Sequence, residues 1–122
     1  MQQVTNQNKY NLEERTAKLA EQVILLCKSI KLSAYNRRTI EQLIASSGSI
    51  GANYCEANES ESKKDFIHKI GIAKKEIKES MHWLRLLATI HPEKNTEIKV
   101  IWKETKELLL IFSKIKSSAT KQ

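Results

Sequence analysis

Residues 40–57 read IEQLIASSGSIGANYCEA. Whether this stretch is one helix or two shorter elements decides the fold. Ile40, Leu43, Ser47, Ile50 and Tyr54 recur at steps of three and four, the spacing of one helix face. Gly48 and Gly51 oppose a helix, each costing up to ~1 kcal/mol of propensity. The stripe nonetheless keeps phase across both glycines. The reading is one helix over about 36–58, and a break would fall at Ser46 to Gly48.

Working outward, the same periodicity marks three further helices. Before the central helix, Leu12, Thr16, Leu19, Val23, Leu26 and Ile30 form a stripe over about 11–30. Asn11 is placed to cap it, with Glu14 in the capping-box position. After the central helix, Ser62 and Asp65 form a second capping pair. Glu59 and Glu61 precede them, where the helix dipole favours negative charge. The third helix spans about 62–90 on the stripe Phe66, Ile70, Ala73, Ile77, Met81, Leu84 and Ala88. It stops at His91-Pro92, because proline disfavours helical geometry in the residue before it. The fourth covers about 95–117 on Ile98, Ile101 or Trp102, Thr105, Leu108 or Leu109, Phe112 and Ile115. The tail Ser118 to Gln122 is expected to fray.

The chain has 122 residues with three Gly and one Pro. Sheet proteins of this size need many tight turns, and turns use those two residues. The expected architecture is therefore all-α: an antiparallel, up-down-up-down four-helix bundle forming one domain over 1–122, its short connections making sequential helices neighbours. Hydrophobic residues are 40% and charged residues 29%, the composition of a folded globular chain. The start is polar, with no secretory apolar stretch, and no apolar run approaches the ~20 residues that span a bilayer. A cytoplasmic chain without membrane contact, its Cys27 and Cys55 reduced, is the expectation.

Leu43 to Cys55 is thirteen residues without a charge, whereas the outside of a monomeric bundle shows charge every turn. Opposite the core stripe lie Ala45, Ser49, Ala52 and Glu56, flanked by Asn53. On the third helix Ile72, Trp83 and Leu86 gather off the core stripe as well. Two such faces predict self-association, with those eight residues at the interface.

Catalytic and metal chemistry find little support. Glu79-x-x-His82 and Asp65-x-x-His68 resemble half-sites of carboxylate-bridged di-iron bundles, but both lie on one helix and lack partners on facing helices. Cys27 and Cys55 fall at helical positions and read as small buried hydrophobes. His91, beside Pro92, reads as an exposed loop residue. There is no nucleophile elbow and no glycine-rich phosphate loop. The expectation is a protein without enzymatic activity, cofactor or metal.

Net charge is +7, from 21 Lys/Arg against 14 Asp/Glu. That bias favours acidic partners, although lysine-rich solvated faces are common in bundles. Arg37 and Arg38 open the second helix, Lys63 and Lys64 open the third, and Lys74, Lys75, Lys78 and Arg85 continue along it. Antiparallel packing brings Arg37 and Arg38 to the end of the third helix, toward Arg85. These are the candidate RNA- or DNA-binding residues. No aromatic is interleaved with them, so phosphate contact without base readout is expected. The alternative is a structural or protein–protein interaction module whose lysines confer solubility.

The segments Ser49-Ile50-Gly51-Ala52-Asn53-Tyr54-Cys55-Glu56-Ala57, Ser62-Lys63-Lys64-Asp65-Phe66 and Trp83-Leu84 carry a resemblance. Over roughly residues 10–118 the chain resembles the small four-helix-bundle proteins encoded in intervening sequences of bacterial 23S ribosomal RNA genes, loosely described as ribosomal proteins. It is also similar to the accessory variability protein of diversity-generating retroelements. Ser49, Asn53, Glu56, Lys64, Phe66, Trp83 and Leu84 match as family signature only. Tyr54 departs from the usual Ile or Leu nearby, and Cys55 stands where a small residue is usual. The resemblance implies a homopentameric, barrel-like ring and a role in binding RNA or DNA, with no catalytic residues to carry over.

Overall fold

The computed structural model describes residues 11–121. Four α-helices follow in order: α1 (Leu12–Lys28), α2 (Arg37–Asn58), α3 (Lys63–Ile90) and α4 (Asn95–Lys121). A 3-10 turn, Pro92–Lys94, joins the last two. No strand occurs among the described residues. Each helix packs on its neighbours in sequence, and α4 closes the bundle against α1.

Contacts between helices fix their antiparallel sense. Asn36, at the start of α2, meets His91 at the end of α3. Ser46 meets Ser80, and Glu56 meets Lys69, so numbers rise along α2 as they fall along α3. One core runs through all four helices, with Leu12, Leu43, Tyr54, Phe66, Ile77, Leu84, Leu108 and Phe112 almost wholly removed from solvent. The Tyr54 and Phe112 rings pack 5.5 Å apart, within the range of a favourable aromatic pair.

α2 is continuous through both glycines. Gly51 faces α1 so closely that a Cβ there would lie 2.9 Å from Thr16 Oγ1. Thr16 is buried and its hydroxyl donates to the Leu12 carbonyl at 2.8 Å, so it has little room to give. The glycine is there because two helices cross, and the packing offsets its poor propensity. Gly48 faces open space. Against α3, the seam of α2 is closed by Ser46 and Ser80, both buried, whose hydroxyls are 2.9 Å apart. Small residues let these helices approach, which is why Ser80 and Leu87 are fully buried on α3 while Met81 and Ala88 are only half-buried.

Helix starts divide. Ser62 caps α3 as its sequence predicts, accepting from Asp65 N at 3.0 Å. Asn11 does not cap with its side chain. Its backbone is left-handed, at φ 52° and ψ 53°, whereas a side-chain cap needs extended backbone. Asn36 also leaves its helix uncapped and stitches the preceding turn instead. Its Oδ1 accepts from Ser33 N at 2.8 Å and its Nδ2 donates to Lys31 O at 2.9 Å. Helix ends differ slightly too. α1 stops at Lys28, where Ser29 N and Ile30 N turn back to Leu26 O and Cys27 O. α4 continues to Lys121 because Ala119 is buried, so residues 118–121 are helical rather than frayed; Gln122 lies outside the described residues.

Candidate nucleic-acid interface

A cleft runs between α3 and α4. Near the α3 C-terminus it opens into a concavity of about 930 Å³. Its walls carry Lys78, His82 and Arg85 from α3, and Lys99, Trp102 and Lys103 from α4. Met81, Leu84 and Ile98 also line it. Toward the α3 N-terminus a second concavity, about 300 Å³, is bordered by Lys74, Lys116 and Lys121. None of the residues lining either concavity is Asp or Glu. At 1.5 Å rise per residue, Lys99 to Lys121 spans about 33 Å.

Ion pairing separates these cations from others in the molecule. Arg15 holds Glu104 through two bonds of 2.9 and 2.8 Å and reaches Glu107 at 3.0 Å, tying α1 to α4. Lys69 pairs with Glu56, Lys18 approaches Glu14 and Lys94 approaches Glu97. Among the described residues, Lys78, Arg85, Lys99 and Lys103 form no ion pair. Like charges gathered without carboxylates create a positive potential focused by the walls of a cleft. The α2–α3 elbow is the opposite. There a cleft of about 590 Å³ is lined by Glu56, Glu59, Glu61 and Asp65, with Lys69 as its one cation.

The structure regroups the basic residues read from sequence. Lys74, Lys78 and Arg85 share the α3–α4 cleft. Lys75 is exposed on α3 outside the residues lining it, and Lys63 and Lys64 are exposed at the far end of the helix. Arg37 and Arg38 reach the end of the bundle expected for them, as the Asn36–His91 contact shows. Both are exposed, but neither lines the concavity holding Arg85. Sequence reasoning missed Lys99, Lys103 and Trp102. The signal available was the ambiguity between Ile101 and Trp102. Ile101 is buried, which turns Trp102 outward, 37% exposed, between Lys99 and Lys103. An aromatic is thus interleaved with the cations after all.

Of the interface residues inferred from sequence, Ala45, Ala52 and Glu56 are exposed, and Ser49, Asn53, Ile72 and Leu86 are half-buried. Trp83 is half-buried and packs on the edge of the core, so the chain itself absorbs part of that apolar excess.

Other residues correct their sequence readings. Cys55 is exposed, not buried, because the core stripe passes through Tyr54 instead. Burial pushes the Cys27 thiol up to about 11, and the Cys55 thiol also rises through burial and then nearby Glu13 and Glu59. Neither is a ready thiolate. His91 is not a free loop residue. Its Nε2 lies 3.0 Å from Asn36 Nδ2 and its Nδ1 lies 2.8 Å from Glu93 Oε2. The other bonds of Asn36 fix its amide orientation, so Nδ2 donates and His91 Nε2 accepts. The His91 proton then sits on Nδ1 and is given to Glu93. Among the described residues no three His, Cys, Asp or Glu side chains converge as a metal would require. No helix of the described chain is long and apolar enough to cross a membrane.

Comparison with known proteins places this geometry. The family model described as 23S rRNA-intervening sequence protein matches residues 8–114. The chain belongs to that family. Among solved structures, it is similar to a crystallised protein of unknown function from the S23 ribosomal protein family of Bacteroides thetaiotaomicron VPI-5482. The two share 28% identity and a TM-score of 0.73 over 84% of this chain and 95% of that one. No curated protein matches. The family resemblance read from residues 49–57, 62–66 and 83–84 is thereby established, as is the all-helical fold. Neither comparison assigns the family or its crystallised member a biochemical activity.

Proposed function

We propose that the protein is a non-enzymatic homo-oligomer that binds RNA or DNA through phosphate contacts along the α3–α4 cleft. The observation that carries this reading is the set of cations without an ion pair among the described residues, Lys78, Arg85, Lys99 and Lys103, lining one concavity from two helices with no carboxylate among its lining residues. A solvated surface kept for solubility mixes both signs, as the pairs Lys18–Glu14 and Lys94–Glu97 do elsewhere. Phosphate contacts position a chain without reading its sequence. Binding is therefore weak per subunit, and symmetry strengthens it by presenting several clefts to one strand.

Self-association is supported by the outer face of α2. Ala45, Gly48 and Ala52 are all exposed there on three successive turns, with no charge between Ile44 and Cys55. An uncharged face of small residues lets another helix approach closely. Ala52→Glu places a carboxylate on that face without touching the monomer core. Light scattering is expected to show a wild-type particle larger than a monomer and a smaller one for the variant. A monomeric wild type refutes the assembly.

The binding test is fluorescence anisotropy with labelled RNA and DNA at ~50 and ~200 mM salt, where phosphate contacts lose most of their strength. Lys78→Glu/Arg85→Glu is expected to weaken binding uniformly across sequences and to lower the salt slope by about two, one for each cation removed. Absence of binding at the lower salt removes the nucleic-acid reading and leaves an interaction module.

A further inference from the structure

The geometry points to a single strand as the occupant of this cleft, with a base stacked on the indole of Trp102. The inference rests on the nucleic-acid reading above and adds to it which form of nucleic acid is bound and which residue selects it.

Three observations carry it. Trp102 is a large aromatic that the fold leaves 37% exposed, while Ile101 beside it in sequence is buried. It lines the basic concavity with Lys99 and Lys103 one turn or less away on α4, and Lys78 and Arg85 across the cleft on α3. Lys106 Nζ lies 5.5 Å from the ring centroid, yet Lys106 is not among the residues lining the cleft. A cation thus lies over the indole, while the ring itself lines the concavity. The result is a flat apolar surface flanked by cations on both walls. That pairing of a positive groove with a stacking ring is how proteins hold unpaired strands. A duplex stacks its bases on one another and offers phosphates but no free base face. Lysines alone do not distinguish the two forms; an indole does. Stacking on a single ring is expected to be tolerant of sequence, because every base has a face to stack.

The test uses the full-length chain and a labelled single strand of about 16 nucleotides, the upper end of known site sizes. The same strand annealed to its complement is the second probe. Trp102→Leu is expected to weaken single-strand binding roughly 5- to 160-fold, the range for removing one stacking platform, while duplex binding changes less than about twofold. Trp102→Phe keeps a ring and restores most of the affinity. Trp83→Phe leaves Trp102 as the sole tryptophan, and its fluorescence is expected to be quenched by the single strand and little changed by the duplex. Equal losses on both probes, no loss on either, or a wild-type preference for duplex would each overturn stacking while leaving the basic cleft in place. A free mononucleotide that binds as tightly as the strand overturns it in favour of a small-molecule site. No wild-type binding to either probe, or full binding by Lys78→Glu/Arg85→Glu, fails the underlying reading instead.

Discussion

On its flank toward α2, α3 meets its neighbour through Ser80 and Ser46, two buried hydroxyls 2.9 Å apart, and closes the far end with Lys69 bonded to Glu56. On its flank toward α4, the same helix presents Lys74, Lys78 and Arg85 to a cleft whose other wall carries lysines and a tryptophan among neutral residues. One flank pairs its charge and buries its small residues; the other leaves its charges unpaired and open. Packing explains the first, since close approach of two helices removes apolar surface from water on both. Packing does not explain the second, where the cations lining the concavity repel and none of Lys78, Arg85, Lys99 and Lys103 forms an ion pair among the described residues. The comparison separates the part of α3 that builds the bundle from the part that is available to a partner.

Substitutions that change size break the comparison most strongly. Ser80→Leu forces a larger side chain into the closed seam and is expected to cost about 3 kcal/mol or more, by analogy with overpacked cores. Urea melts read the effect directly, and a cost under about 1 kcal/mol would mean that the seam is looser than its geometry, since even conservative core changes reach that size. Gly51→Ala is next. Contact with the fixed Thr16 side chain is expected to outweigh the helix-propensity gain of up to ~1 kcal/mol, leaving a net loss of about 1–3 kcal/mol. Gly48→Ala, three residues away and facing open space within the single chain, is expected to stabilise the bundle itself by up to ~1 kcal/mol, read at a concentration where the chain is dissociated. Opposite signs at two glycines of one helix would show that tertiary contact decides them. On the open flank, Lys103→Gln is expected to move stability by less than ~0.5 kcal/mol, yet to lower nucleic-acid affinity and reduce the salt slope by about one.

The fold was legible in the sequence because its signals are local. The stripe from Ile40 to Tyr54 stayed in phase across two glycines, Ser62 capped as its spacing predicted, and Pro92 ended α3. The cleft was less legible, because it depends on how α4 is rotated against α3. Ile101 and Trp102 are adjacent, and either could have faced inward. Only the packed bundle decides between them, and that choice brings Lys99 and Lys103 to the same cleft as Lys78. Likewise Asn11 and Asn36 have the composition of caps, but capping depends on backbone angles that composition does not set.

The buried carboxamide of Asn36 has a consequence for how the molecule opens. It bonds the α1–α2 turn at Lys31 and Ser33 and, through His91, reaches the connection between α3 and α4. Two loops distant in sequence are thus latched to one side chain. Releasing either costs the hydrogen bonds of both, so they are expected to behave as a single cooperative unit in native-state hydrogen exchange. The amide protons of Ser33 and of His91, which donates to Leu87 O at 2.8 Å, should then exchange at matched rates. In Asn36→Ala they should exchange independently, with that end of the bundle the first to breathe.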